Sequence, residues 1–218
     1  MVINHQIQDV LKAYPTLEFD QARNRLVGEL FISKHDSYDL EIDISPFPMF
    51  FPDVYEVGER IPKKEDRHIY VGSGACCLST SAKAQVLLKT KIGSLRLFIK
   101  EILIPYLQNN SYFEINKRYK TDEYAHGQLG IIQGYMDILK MDFNQINDVL
   151  KCALLMEEHI NGKKLNVHNQ CYCKSGMKLK NCKNGSHYSA YRDFRKIDVE
   201  VLNFDLGKYF APLFLKNN

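Results

Sequence analysis

Apolar and polar residues alternate along the chain in patterns that change from helical to strand-like and back. Near the N-terminus, apolar residues recur at helical spacing at Ile3, Ile7, Val10 and Leu11. Pro15 ends this pattern, because the residue before a proline is disfavoured in the helical conformation. The spacing predicts one short N-terminal helix.

Residues 16–44 are rich in β-forming residues, and two stretches carry apolar side chains at every second position. These positions are Leu26, Gly28, Leu30 and Ile32 in the first stretch and Tyr38, Leu40, Ile42 and Ile44 in the second. Residues 34–37 have the composition of a turn between them. The pattern predicts an antiparallel meander of three or four strands, whose third strand runs into Pro46.

Between residues 46 and 62 the chain carries four prolines and several aromatic residues, which excludes a regular central strand. We expect an irregular flap over the surface. Residues 67–71 predict a short strand, and the Gly-Ser-Gly sequence of residues 72–74 predicts a flexible turn. This turn leads directly to Cys76 and Cys77.

Helical spacing returns in the second half of the chain. Residues 92–107 place their apolar side chains on one face and predict a helix that covers the sheet, and residues 122–161 predict two more helices that are separated near residues 141–144. From Gly162 the composition changes to Lys, Asn, Gly and Cys. We predict an α+β fold in three parts: residues 1–118, a helical extension at 119–161 and a small C-terminal module at 162–218.

Composition sets limits on the function. Hydrophobic residues make up 45% of the chain and charged residues 25%, which is typical of a globular protein, and the net charge of +3 does not by itself indicate nucleic acid or membrane. The sequence shows no apolar run of roughly 18 residues and no secretory signal at its start. We therefore expect a cytoplasmic protein with no membrane partner.

The six cysteines occur in three settings: an adjacent pair at Cys76 and Cys77, an isolated Cys152 in a predicted helix, and a C-terminal group. In the reducing cytosol they are expected to be free, catalytic or metal-bound. Cys77 follows a glycine turn and precedes a Ser-Thr-Ser stretch, so backbone N–H groups and hydroxyls could stabilise a thiolate there. The alternative is a buried structural thiol.

The order of elements up to residue 118 resembles a ubiquitin-conjugating enzyme. That family has a Tyr/Phe-Pro flap, a His-Pro-Asn segment and a Gly-x-x-Cys-Leu active-site loop. Here Phe47 and Pro48 match the flap, His68 matches the histidine, and the Gly-Ala-Cys-Cys-Leu sequence of residues 74–78 matches the loop. The resemblance implies an antiparallel β-meander with an N-terminal helix and a covering helix.

The resemblance also implies roles for single residues. Cys77 takes the position of the thioester-forming cysteine, and His68 that of a structural histidine that shapes the loop. Ile69 and Tyr70 stand where the family has Pro-Asn, so the asparagine associated with oxyanion stabilisation is absent. Two readings remain open: a conjugating enzyme, or a non-catalytic binding module with the same fold.

Bacterial relatives of this fold occur in antiphage CBASS operons, and the chain resembles these most. The resemblance implies a protein substrate, with a cGAS-like nucleotidyltransferase as the candidate, whose C-terminus would be joined to an amine. His126 is a further candidate base or positioning group, and Asp122 and Glu123 are weaker candidates, although a histidine in a turn is usually solvated or capping. The sequence leaves the oligomeric state open.

The C-terminal module carries Cys171, Cys173 and Cys182, a spacing that lets a loop wrap one zinc ion. Residues 171–182 resemble the SEC-C zinc motif, which ends in Cys followed by an adjoining His or Cys. Lys183 occupies that adjoining position, so we predict His187 as the fourth ligand, with His168 as the second choice.

Cations and aromatic residues are interleaved around these cysteines. The cations include Lys163, Lys164, Lys174, Lys178, Lys180, Lys183, Arg192, Arg195 and Lys196. Such a surface fits nucleic acid or an acidic protein. SEC-C modules are associated with partner docking, so we favour protein recruitment and do not expect nucleic acid as a partner.

Overall fold

The computed structural model describes residues 2–121, 124–142 and 145–215 and has a mixed α+β architecture. Its α-carbons fall into two compact units. Unit 1 comprises residues 1–79 and 87–123, and unit 2 comprises residues 80–86 and 124–218.

A helix comes first along the chain, the four strands follow, and the other helices come after them. The strands are β1 (Leu17–Asp20), β2 (Arg25–Ser33), β3 (Asp36–Asp43) and β4 (Asp53–Glu56). The helices are α1 (Val2–Ala13), α2 (Ser81–Leu88), α3 (Leu95–Phe98), α4 (Ile104–Asn116), α5 (Gly127–Leu139), α6 (Ile146–Ile160), α7 (Ser186–Phe194), α8 (Val199–Asp205) and α9 (Ala211–Leu215).

The sheet of unit 1 is the predicted antiparallel meander, with its four strands paired in the order β1-β2-β3-β4. Tyr38, Leu40 and Ile42 alternate with more exposed residues along β3 and are at most 1% exposed, which confirms the period of two. Gly28 of β2 has a φ of +130°, and a Cβ there would lie 2.4 Å from the carbonyl oxygen of Thr16. Glycine is therefore required where β1 pairs with β2.

The flap holds a strand that the sequence did not predict. β3 ends at Asp43 rather than running into Pro46, and β4 follows Pro52 as a short edge strand. Pro52 lies just before the strand and not within it, so it removes no ladder bond. The rest of the flap is anchored by its aromatics, since the ring of Phe51 packs 5.2 Å from that of Phe98.

The predicted covering helix is present and longer than expected. It runs from α3 through a π-helical turn (Ile99–Leu103) into α4, so that it begins at Leu95 and ends at Asn116. Pro105 lies inside this continuous helix, directly after the π-helical turn, and as a proline it has no backbone N–H to donate to the preceding turn. Its apolar face is buried as predicted.

Helix α2 was missed by the sequence interpretation, which treated residues 79–81 only as a polar stretch beside Cys77. The backbone N–H of Lys83 donates to Oγ1 of Thr80, 3.3 Å away, as in an N-cap. A Thr ahead of an Ala-rich segment was therefore the signal for a helix start.

Unit 2 contains the two predicted helices of the extension, α5 and α6, together with the shorter helices α7, α8 and α9. We predicted separate parts on either side of residue 162, but the buried side chains of both belong to one hydrophobic core, which includes Leu139, Cys152, Cys171, Cys182 and Phe194. Within the described residues, no helix combines the length and the apolar character needed to cross a bilayer.

Candidate functional sites

The loop that carries Cys77 is held in place by main-chain hydrogen bonds. The backbone N–H of Cys76 donates to the carbonyl of Val54 in β4 at 2.8 Å, and that of Cys77 donates to the carbonyl of His68 at 2.7 Å. Tyr55 and Ala75 form a further antiparallel bridge. The edge of the sheet therefore fixes the backbone at Cys76, and the loop carbonyl of His68 fixes it at Cys77.

The two adjacent cysteines differ in environment. Cys76 is only 6% exposed, and burial raises the pKa of its thiol to about 12. Cys77 is partly exposed. Cys76 forms a backbone bridge with Ile69, and the side chain of Cys77, the next residue, keeps part of its exposure to solvent. A thiol that reacts with a protein substrate needs that access.

His68 shapes this loop through its backbone. Residues 67–71 were predicted as a strand, but they begin with the end of a 3₁₀ turn (Glu65–Arg67) and continue as a loop with one isolated bridge at Ile69. His68 has a φ of +52°, and its carbonyl accepts hydrogen bonds from the Cys77 amide and from the hydroxyl of Tyr106 at 2.9 Å. Its imidazole is buried and lies edge-on to the ring of Tyr119. The left-handed backbone of His68 interrupts the predicted strand. In this conformation the His68 carbonyl faces the amide of Cys77.

Lys63 and Tyr70 also lie at this loop. Neither of them was among the candidate site residues predicted from the sequence. The Nζ atom of Lys63 lies 4.0 Å from the position of a Cβ built on Gly74, which places a cation beside the glycine turn. Tyr70, at the position of the family's asparagine, is 52% exposed. Lysines are too common on protein surfaces for a cation at this turn to be predicted from sequence.

The sequence also offered His126, Asp122 and Glu123 as candidate acid–base groups. His126 belongs to unit 2, where it is the N-cap residue of α5 with extended backbone angles, φ −83° and ψ 156°. Asp122 and Glu123 lie outside the described residues. A catalytic role for His126 stays a prediction.

The C-terminal cluster brings together four predicted ligands. One ligand atom from each of Cys171, Cys173, Cys182 and His187 lies within 4.8 Å of all the others. Sγ of Cys171 is 3.2 Å from Nδ1 of His187, and Sγ of Cys173 is 3.5 Å from Sγ of Cys182. Sulfur and nitrogen ligands around one zinc ion are about 3.5–3.8 Å apart, so the cluster has the size of a tetrahedral site. His187 is thus the histidine of the cluster, and His168, the second choice, is exposed and not part of it.

Short-range backbone structure creates the cluster. Residues 170–178 fold back on themselves through a bridge between Gln170 and Lys178 and a hydrogen bond from the Cys171 amide to the carbonyl of Met177. Gly176, with a φ of +81°, allows the reversal. Cys182 then begins a 3₁₀ turn (Cys182–Gly185) that leads into α7, whose first turn carries His187. The sequence spacing of Cys171, Cys173 and Cys182 is therefore the one that a tight loop needs to bring their sulfur atoms together.

The surroundings orient His187 as a ligand. Its Nε2 lies 3.1 Å from the carbonyl oxygen of Lys140, an acceptor that places the proton on Nε2 and leaves the lone pair of Nδ1 facing Cys171. Tyr172 stacks on the imidazole with 5.0 Å between ring centroids and donates its hydroxyl hydrogen to the carbonyl of Leu139. Tyr172 is one of the aromatic residues interleaved with the cations in the sequence, and it is buried beside the cluster.

The protonation states suit metal binding. Burial lowers the pKa of His187, and the ammonium of Lys183 acts in the same direction, so the ring is neutral at pH 7 as ligation requires. Burial opposes ionisation of Cys173, but hydrogen bonds from Ser175 lower the pKa of its thiol. Burial raises the pKa of Cys171 to about 12, so a bound cation is what would make it a thiolate.

No protein-family model, curated protein or solved structure matches the chain.

Proposed function

We propose that the chain is a cysteine-dependent protein-conjugating enzyme similar to the ubiquitin-conjugating family, with Cys77 as its nucleophile. The observation that carries the proposal is the contrast within one loop: Cys76 is buried against the sheet, whereas Cys77 is partly exposed and its backbone is fixed by His68. A fixed backbone with an accessible sulfur is what acyl capture requires.

The chemistry proceeds in two exchanges at one sulfur. The Cys77 thiolate attacks the activated C-terminal carbonyl of a partner protein, a C–S bond forms, and the activating group leaves. The amine of the acceptor then attacks the thioester, a C–N bond forms, and the thiol is regenerated as the amine loses a proton. The carboxyl must arrive already activated, as an acyl adenylate or a thioester, because a free carboxylate does not acylate a thiol in water.

The test is to trap the acyl group. Serine at position 77 gives an oxyester that resists thiol reductants, so Cys77→Ser expressed with its genomic neighbours is expected to accumulate an adduct that intact-protein mass spectrometry detects. The wild-type adduct is expected to be released by dithiothreitol. Cys76→Ser is the matched control and should still form the reducible adduct. An adduct that persists in Cys77→Ala would overturn the assignment.

The proposed partner is a cGAS-like nucleotidyltransferase in antiphage defence, and the support for it is the resemblance described above. Co-expression with such an enzyme from the same operon is expected to give an adduct that is heavier than this chain by the mass of the nucleotidyltransferase less one water. Truncation of the last residue of the nucleotidyltransferase should abolish it, because the reacting carboxyl would be displaced.

We also propose that Cys171, Cys173, Cys182 and His187 hold one structural zinc ion. Three thiolates and one imidazole form a donor set that zinc favours, and all four positions are filled by protein, as in a site without an open position for substrate. Substitution with Co²⁺ is expected to give the visible absorption bands of a tetrahedral thiolate site. His187→Ala should weaken these bands, whereas His168→Ala should leave them unchanged.

A non-catalytic adaptor is the second candidate, favoured by Ile69 and exposed Tyr70 where the family has Pro-Asn. It predicts no trapped adduct in Cys77→Ser under any pairing with a neighbouring gene product. An adaptor would still bind its partner after Cys77→Ala, with unchanged affinity.

A further inference from the structure

Three adjoining cavities form a continuous trough on the surface of unit 2. Their volumes are about 450, 380 and 270 Å³. The first cavity shares Lys164 and Tyr191 with the second, and Lys163 and Lys174 with the third. We call this surface the α6–α7 trough, because its walls come from the end of α6, the following segment and α7.

The trough is charged unequally along its length. The cavity at one end is lined by Lys164, Arg192 and Arg195 and, among the residues that the structure describes, by no carboxylate, whereas the cavity at the other end is lined by Glu157 and Glu158 together with lysines. Residues 159–192 contain seven lysines and arginines and no aspartate or glutamate. We call the first end the cationic end.

The cations at this end are not neutralised. Within the part of the chain that the structure describes, Lys164, Arg192 and Arg195 form no ion pair with a carboxylate. Arg195 instead contacts Nδ1 of His159 and the carbonyl of Lys163. The guanidinium of Arg192 lies 6.0 Å from the ring centroid of Tyr188. Planar guanidinium groups held this way are suited to bidentate contact with carboxylates.

The floor of the trough is apolar, and side-chain amides line its wall. Leu155, Leu165 and buried Tyr191 form the floor, and the hydroxyl of Tyr191 accepts a hydrogen bond from the backbone N–H of Leu165 at 2.8 Å. Side-chain amides of Asn169 and Gln170 add donors and acceptors to the wall. Such groups match the backbone and apolar side chains of an extended peptide.

We propose that the α6–α7 trough binds an extended segment of a protein partner whose acidic residues lie at the cationic end. A nucleic-acid strand is negative along its whole length and would meet Glu157 and Glu158 between the lysines of the other end. A peptide can carry its acidic residues at the cationic end alone, so the uneven placement of carboxylates favours a peptide. The proposal deepens the proposed function, on which it rests: this surface would recruit the protein to be conjugated.

The experiment measures peptide binding separately from conjugation. The full chain carrying Cys77→Ala, which cannot form a thioester, is titrated against a fluorescein-labelled peptide of alternating Glu and Ala, with fluorescence anisotropy as the readout. Lys164→Gln with Arg192→Gln removes two exposed cations from the trough and is expected to weaken binding about tenfold, since each exposed pair contributes up to about 1 kcal/mol.

The matched control removes the same charge elsewhere. Lys178 and Lys180 are exposed on the same unit and do not line the trough, so Lys178→Gln with Lys180→Gln should leave the affinity within about twofold. Equal losses in both double variants would overturn the proposal, because they would show attraction to net charge alone. Tighter binding of labelled oligothymidylate than of the acidic peptide would overturn it in favour of nucleic acid.

Failure here is distinguishable from failure of the proposed function. If Cys77→Ser traps an adduct but the acidic peptide does not bind, the enzyme stands and the trough is not its recruiting surface. If the peptide binds and no adduct forms, the trough stands and serves an adaptor.

Discussion

The two cysteine-rich regions of this protein hold their sulfur atoms in contrasting settings. In unit 1 the main chain fixes the loop, through bonds from Cys76 and Cys77 to β4 and His68, and one sulfur is left accessible. In unit 2 the side chains converge, with Cys171 and His187 fully buried and in contact with each other.

The difference shows what decides the role of a thiol. Reactivity needs access and a partner that stabilises charge, whereas metal binding needs several donors at one point and shielding from solvent. Cys152 satisfies neither condition: it is fully buried in an apolar core, and burial raises the pKa of its thiol. It is a packing residue.

The largest expected effect comes from breaking the cluster in unit 2. His187→Ala removes one proposed zinc ligand and the ring that stacks on Tyr172. Structural zinc sites contribute folding energy directly, so under the zinc proposal unit 2 should lose several kcal/mol, on the order of a marginal domain's whole stability. Hydrogen-exchange mass spectrometry should show loss of protection in α5 and α6. His168→Ala is the matched control, and equal loss of protection in both variants would contradict the site.

The next effect concerns the accessible sulfur. Iodoacetamide at pH 8 should alkylate Cys77 at least about a hundredfold faster than Cys76 or Cys152, because alkylation requires thiolate and access. Peptide mapping over a time course measures each rate. Similar rates for the two neighbours at positions 76 and 77 would sink the enzymatic proposal and favour the adaptor.

A backbone change should damage unit 1 alone. Gly28→Ala places a methyl group 2.4 Å from the carbonyl of Thr16 at a φ of +130°, which should cost about 1–3 kcal/mol of unfolding free energy. Gly72→Ala, which meets nothing within 4 Å, is the control and should be near neutral. Bound zinc, measured by mass spectrometry of metals, should be unchanged in both variants.

The smallest effect is a pH dependence in unit 2. Because the folded-state pKa of His187 lies below its ordinary value of 6.5, the neutral ring contributes stability that is present above pH 6.5 and lost as the pH falls through the lower folded value. The slope should be about 1.4 kcal/mol per pH unit for each proton taken up. Added zinc should move the acid transition to lower pH, and a transition insensitive to zinc would contradict coupling to metal.

The sequence predicted those features that depend on short-range patterns. The alternation along β3 predicted the meander, helical spacing predicted α5 and α6, and the Cys-x-Cys loop with its later histidine predicted the cluster. In each case a local rule and the tertiary structure agree.

Local sequence patterns could not predict features that depend on contacts between residues far apart in the sequence. β4 forms because β3 offers an open edge to residues after Pro52, and His68 turns left-handed where its carbonyl meets Cys77 and Tyr106. Residues on both sides of position 162 pack into one core. The sequence did not predict this, because the change of composition at Gly162 indicated a boundary between parts.

The inclusion of Cys171, Cys182 and Tyr172 in the hydrophobic core of unit 2 has a physiological consequence if zinc fills the cluster. An ion built into a core is acquired during folding and is not exchanged afterwards, so nascent chains made under metal starvation would go to proteases rather than accumulate as an apo form. The cellular level of the protein would then follow metal supply, without any dedicated sensor.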